Sequence, residues 1–192
     1  MRKFFIIIFV LVLLILVGWA IAHFFFSTIT ASISGGQSVP SSSAEHTGIG
    51  KSSGRSVPTG AVEYYNSYYH FSVLYPSTLK VGEHPEDGGG ITVTFEDIEP
   101  KTVDGFQVFI TPFAGNQITE ERFKEDDPSG VRQNLKNINV DGAVGAEFDS
   151  TDSILGATHE VWFLKGGYLY EATTFKETGD WLDSIIGTWK FL

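Results

Sequence analysis

From Phe4 to Phe26 the chain reads FFIIIFVLVLLILVGWAIAHFFF, an apolar run of 23 residues whose only polar member is His23. As a helix rising about 1.5 Å per residue it reaches about 34 Å, enough to cross a hydrocarbon core of about 30 Å. Arg2 and Lys3 precede the run, and the first charge beyond it is Glu45. The positive-inside bias then puts the N-terminus in the cytoplasm and everything after residue 26 on the other side of the membrane. Trp19 and Phe24 to Phe26 suit the far interface, where aromatic rings anchor, and His23 can snorkel there. A cleaved signal peptide is the competing reading, because Ala20-Ile21-Ala22 forms an A-x-A-like site after a short basic region. An h-region usually spans about 7 to 15 residues, and apolar residues here continue past that site, which favours an uncleaved anchor. Both readings deliver the remainder of the chain to the same compartment. A pilin-type helix needs an early glutamate after a processed glycine, and the run has none.

Residues 27 to 60, STITASISGGQSVPSSSAEHTGIGKSSGRSVPTG, are rich in Ser, Gly and Thr and repeat no apolar residue at helical or strand spacing. Such a segment reads as a flexible linker with a mean span of roughly 30 Å, by about 5.5 Å times the square root of its length. Gly48-Ile49-Gly50-Lys51-Ser52 imitates the end of a phosphate-binding loop. The first glycine of that motif would fall on Glu45, and no strand precedes the segment.

Charge and cysteine content exclude several functions. Residues 61 to 192 carry nine basic and 22 acidic side chains, a balance that repels phosphate backbones and argues against nucleic-acid binding. The absence of cysteine removes disulfides, zinc ribbons, thiol nucleophiles, sortase-type catalysis and lipoprotein acylation.

The same region holds seven tyrosines, ten phenylalanines and three tryptophans, ample for a core. Alternation predicts strands at Val62 to Asn66 and Tyr69 to Tyr75, the second stopped by Pro76. Ile91 to Phe95 and Phe106 to Ile110 alternate strictly and read as a hairpin with a long acidic connection containing Pro100 and Gly105. Thr119 before Glu120 and Glu121, with Ile118 and Phe123 at staple positions, predicts a helix ended by Pro128 and Gly130. Four further stretches follow: Lys136 to Val140 turning at Asp141-Gly142 into Val144 to Phe148, then His159 to Lys165, then Tyr168 to Phe175 after Gly166-Gly167. A last helix starting near Thr178 or Asp180 carries Trp181, Leu182, Ile185, Ile186 and Trp189 at three- and four-residue spacing. The expected fold class is therefore α+β, an antiparallel sheet covered by helices and preceded by one N-terminal transmembrane helix. The expected domains are 1–26 as cytoplasmic tip and anchor, 27–60 as linker and 61–192 as the folded unit.

Three stretches together resemble the PsbP-like family: Tyr65-Asn66-Ser67-Tyr68-Tyr69-His70-Phe71-Ser72-Val73-Leu74-Tyr75-Pro76, Asn139 to Ala146, and Ile185-Ile186-Gly187-Thr188-Trp189-Lys190-Phe191. That family includes extrinsic lumenal proteins of photosystem II and many exported bacterial domains. The resemblance covers residues 61 to 192 and implies an α/β/α sandwich around an antiparallel sheet. It also implies a binding or assembly role rather than catalysis. The photosystem members are soluble lumenal proteins, and the expected anchor sets this chain apart from them. The matched positions imply no functional residue.

Candidate chemistry is sparse. Glu83-His84-Pro85-Glu86-Asp87 before three glycines is the densest set of metal-ligand types, so His84, Glu86 and Asp87 are the candidate ligands. A solvated loop is the plainer reading, and a preformed site needs help from His70, His159 or Glu160. Asn137, Asn139, Asp141 and Gly142 imitate half of an EF-hand loop, but the twelfth position is Phe148, with Glu147 one residue early. No nucleophile elbow occurs, and His70 and His159 fall in predicted strands as structural histidines. Asp126 with Asp127 and Glu120 with Glu121 are neighbours on a helix end and do not face each other. Tyr64, Tyr65, Tyr68 and Tyr69 are candidates for partner contact, with alternation sending about half of them into the core.

The sequence thus predicts a single-pass, extracytoplasmic, non-catalytic binding or assembly module without a cofactor, held to the membrane through residues 4–26 and meeting a protein or cell-envelope partner. The alternatives are a divalent-cation-binding domain and an anchored hydrolase.

Overall fold

The fold was analysed in a computed structural model, which describes residues 54–98, 105–127 and 129–192. The expected span at 4–26, the linker as far as residue 53, the Gly48 to Ser52 segment, Pro100 and Pro128 lie outside the described residues. Among the described residues no helix is long and apolar enough to cross a membrane.

Strands β1 (Ala61–Asn66), β2 (Phe71–Pro76), β3 (Leu79–Pro85), β4 (Ile91–Asp97) and β5 (Gly105–Pro112) precede helix α1 (Glu120–Asp126). Strands β6 (Gln133–Val140), β7 (Ala143–Asp152), β8 (Gly156–Lys165) and β9 (Tyr168–Phe175) then run to a 3-10 turn at Lys176–Thr178, helix α2 (Gly179–Ile186) and strand β10 (Lys190–Phe191). All pairings are antiparallel. Seven strands form one sheet in the order β3-β4-β5-β9-β8-β7-β6, and three form a second in the order β1-β2-β10.

Turn chemistry sets these pairings. Asp141 and Gly142 have φ of 46° and 85°, and Gly166 and Gly167 have 62° and 84°. Two successive positive φ values give the hairpin turn whose twist matches the flanking strands. Asn139 Oδ1 accepts the Gly142 N–H at 2.8 Å and closes the first of these turns, where the EF-hand imitation stood. In α1, Thr119 Oγ1 accepts the Arg122 N–H at 3.3 Å as the N-cap, and Ile118 and Phe123 lie in one apolar cluster.

Alternation gives the large sheet two apolar faces. On one, Val93, Phe95, Phe106, Val108, Val161, Phe163, Tyr170 and Ala172 pack against the small sheet and against Leu182, Ile185 and Ile186 of α2. On the other, Ala146, Phe148, Trp162 and Leu169 pack against Phe123 of α1. Phe71 of β2 stacks on Trp189 at 4.2 Å and 13°, and both meet Tyr170 edge-on.

The structure corrects several expectations. Helices of seven and eight residues cannot cover seven strands, so the small sheet makes up much of one outer layer in place of helix. Leu79–Pro85 is strand β3, so Glu83, His84 and Pro85 belong to a ladder with β4 and only Glu86 and Asp87 reach the turn. The second strand starts at Phe71, and His70 sits before it with φ of 54°. Trp189 lies beyond the end of α2, where Gly187 caps the helix. Arg55, assigned to the linker, pairs with Glu63 at 3.0 Å and donates to the Thr188 carbonyl.

Phe71→Ala is expected to destabilise the domain by about 3–5 kcal/mol, because it empties the space beside Trp189 and Tyr170. Val144→Ala, at a site 69% exposed, is expected to change stability by less than about 0.5 kcal/mol. Urea unfolding of both variants checks the pair.

Candidate functional site

On the α1 face of the large sheet a cleft of about 640 Å³ opens between the end of α1 and the β7–β8 turn. Its floor comes from cross-strand neighbours: register pairs Glu160 with Thr173 and Trp162 with Glu171 on β8 and β9, and Phe109 of β5 lies opposite Glu171. Asp126 and Asp127 from the end of α1, Ser150 to Asp152 from β7 and Ser153 from the turn after it form the rim. Asp127 ties rim to sheet: its Oδ2 accepts from Ser150 Oγ and its Oδ1 from Ser129 Oγ, each at 2.6 Å.

Two of these carboxyls are nine-tenths buried, Glu160 at 8% exposure and Glu171 at 7%. Glu160 accepts from Thr173 Oγ1 at 2.6 Å and from Trp162 Nε1 at 3.2 Å. Burial outweighs those bonds and pushes its carboxyl up to about 7. Glu171 is pushed further, to about 9, by burial and by the Asp126 carboxyl facing it; Arg122 offsets this only in part. Arg122 pairs with Asp126 and holds its Nη2 3.9 Å from Glu171 Oε1, which has no hydrogen-bond donor.

A second polar cluster lies on the opposite face, under α2. His159, buried on β8, has Nε2 3.0 Å from Asp183 Oδ1 and Nδ1 3.2 Å from Asp149 Oδ1. Burial disfavours the charged ring, but the carboxylates of Asp183 and Asp149 outweigh it and raise the imidazole above its ordinary value. Asp149 is also partly desolvated, yet Asn134, His159 and Lys176 hold it down at about 2. Glu147, His159 and Asp183 each offer a ligand atom within 4.8 Å of the other two. A Cβ on Gly179 would stand 2.8 Å from the His159 ring, so the helix approaches the imidazole only because residue 179 lacks a side chain.

The expected ligand residues do not converge. His84 lies on β3 with Nε2 3.4 Å from Thr94 Oγ1, and Glu86 accepts from Thr92 Oγ1 at 2.6 Å. Asp87 is exposed in the turn that follows. Strand β3 stands four places from β8 in the sheet, so this edge is roughly 19 Å from His159 and Glu160 at about 4.8 Å per strand. His70 lies in the β1–β2 turn, where its carbonyl accepts from the Leu192 N–H. Among the tyrosines, Tyr64 and Tyr69 are core, Tyr65 is half-buried, and Tyr68 is 48% exposed. Tyr64 donates to Glu83 at 2.6 Å, which fixes β1 to β3.

Sequence reasoning missed the cleft. Its acids come from one helix end and two strands, and Asp126 and Asp127 are half-buried rather than solvated. A signal existed in Glu160 and Glu171, single carboxyls at inward positions of otherwise apolar strands. Both have raised folded values, so each stabilises the fold fully below about pH 4.3, and the contribution is lost as pH rises through about 7 and about 9. His159 acts in the same direction above about pH 6.5. The unfolding midpoint is therefore expected to fall between pH 5 and pH 9. Glu171→Gln should flatten that fall and raise the midpoint at pH 9 by about 5 °C, which is worth about 1 kcal/mol in a domain of this size. Thermal unfolding across that range measures both.

No protein-family model matches the chain, and no curated protein matches it in sequence. Among solved structures, the solution structure of cyanobacterial PsbP (CyanoP) from Synechocystis sp. PCC 6803 matches with a TM-score of 0.51 at 15% sequence identity. The match covers 75% of this chain and 99% of that one. With the antiparallel sheets and two short helices described above, the chain has a PsbP-like fold.

Proposed function

We propose that the chain is a membrane-anchored, extracytoplasmic, non-catalytic binding module, and that the cleft on the α1 face is its ligand site. The cleft carries this reading. It is a concave space in the usual size range of small-molecule sites, floored by polar side chains that the sheet register holds in place. The apolar run at 4–26 and the basic residues before it support the anchor and its orientation. Against catalysis stands His159, whose two ring nitrogens both face carboxylates beneath α2, leaving no hydroxyl partner at the ring.

Because the chain lacks cysteine, one introduced thiol reports topology without background. Ser153→Cys, on the rim, is expected to react with a membrane-impermeant maleimide in intact cells and to stay with the membrane after carbonate washing. Labelling only after lysis would overturn the proposed location. Turnover of an ester, peptide or glycan panel that a folded His159→Gln variant abolishes would overturn the non-catalytic reading.

A second reading, a divalent-cation-binding domain, is favoured by the convergence of Glu147, His159 and Asp183. It predicts a saturable rise in the unfolding midpoint with manganese, zinc or calcium after EDTA treatment, lost in Asp183→Asn. No shift with any of the three ions would overturn it.

A further inference from the structure

We infer that the cleft holds an uncharged, hydroxyl-rich ligand, a short oligosaccharide lying across strands β4, β5, β9 and β8; the inference rests on the cleft being the ligand site. The floor is two adjacent rows of cross-strand neighbours on one face of the sheet. One row runs Thr92, Phe109, Glu171, Trp162, and the other Gln107, Thr173, Glu160. The first row crosses three strand spacings, about 14 Å at about 4.8 Å each, which suits a linear ligand of a few rings rather than a single ion.

The lining argues against the other classes. No lysine, arginine or histidine lines the cleft, so an anion meets no counter-charge there. A peptide adds to a sheet through an open edge, and β4, β5, β9 and β8 are each paired on both sides. Five carboxyls line the cleft, and each already has a partner within the protein. Asp126 pairs with Arg122 and faces Glu171, and Asp127 accepts from Ser129 and Ser150. Asp152 accepts the Ile154 and Leu155 N–H groups, each at 2.7 Å, and Glu160 accepts from Thr173 and Trp162. Burial, joined at Glu171 by the facing Asp126, keeps protons on Glu160 up to about pH 7 and on Glu171 up to about pH 9. The need of these carboxyls for positive charge is thus met without a bound cation.

Hydroxyls and an amide remain to receive a ligand, and they make up half of the lining side chains. Such groups match sugar hydroxyls because each partner both donates and accepts. Ser129, Ser150 and Thr173 donate into the protein, so their oxygens keep lone pairs that accept from a ligand hydroxyl. Gln107, exposed on β5, presents an amide with both a donor and an acceptor. Phe109, half-buried between Thr92 and Glu171 in its row, supplies an apolar ring for the C–H face of a pyranose. Few aromatic surfaces framed by placed polar groups is the usual build of a small-ligand site.

The test is isothermal titration of the full-length chain, in a detergent without a sugar headgroup, with maltotriose, cellotriose and tri-N-acetylchitotriose, and separately with putrescine, calcium chloride and citrate. The expected result is saturable binding of at least one trisaccharide, weakened at least fivefold in Gln107→Ala and in Phe109→Ala and unchanged in Val144→Ala outside the cleft. Gln107 is exposed, so its variant keeps the outcome readable should Phe109→Ala fail to fold. The matching monosaccharide should bind at least tenfold more weakly, since it covers only part of the row. No trisaccharide binding, or binding indifferent to Gln107→Ala, overturns the inference. If putrescine, calcium or citrate binds instead and is weakened at least fivefold in Gln107→Ala, the cleft remains the ligand site and the sugar class is wrong. If no compound binds in a way that depends on Gln107, both this inference and the proposed site fail.

Discussion

Phe71 stacked on Trp189 is the contact through which the two sheets become one structure. Two strands joined by a turn are marginal in water, and β10 adds only two residues to β1 and β2. The small sheet is stable because Phe71, Tyr64 and Val73 share a core with Phe95, Tyr170 and Phe163 of the large sheet, with Trp189 wedged among them. Thr188 strengthens the same junction: its Oγ1 accepts the Leu74 N–H at 2.9 Å while its carbonyl accepts from Arg55.

With one face of the large sheet covered by the small sheet and α2, the other is left with less cover. Helix α1 reaches Phe148 and Trp162 through Phe123, and beyond its last turn no helix among the described residues lies over this face. The cleft occupies that uncovered portion. Its floor residues alternate along the same strands as the core: Glu160 lies next to Val161 and Glu171 next to Ala172 in sequence but on the opposite side of the sheet. The apolar face therefore fixes the polar one, and at the floor of the cleft a ligand would meet side chains held by strand pairing.

Much of this was legible where one residue type dominates local conformation. Asp141-Gly142 and Gly166-Gly167 declared their hairpins because consecutive positive φ values favour those residues, and Thr119 with Ile118 and Phe123 declared α1. Strand β3 was obscured because Gly82, Glu83, His84 and Pro85 have no strand-like alternation. Its pairing comes from β4, and the Tyr64 hydroxyl secures Glu83 from another sheet. Trp189 kept the helical spacing of α2 although the chain has already left the helix, since a 3.6-residue period cannot tell a helix from the turn after it. The cleft depends on β7, β8, β9 and α1 meeting, and no local pattern encodes a long-range meeting of carboxyls.

The register of β10 carries a kinetic consequence. Strand β2 is the middle strand of its sheet, yet Leu74 and Thr188, bonded at its edge, are 114 residues apart in sequence. One side of β2 thus stays open until residues 188 to 191 arrive, and closing so long a loop is slow compared with forming the β6 to β9 meander. During synthesis the meander can form early, while the open edge of β2 and the unburied ring of Phe71 wait for β10. That interval is when a chaperone or a neighbouring copy would compete for the same edge, so the yield of native protein depends on how quickly those four residues are delivered.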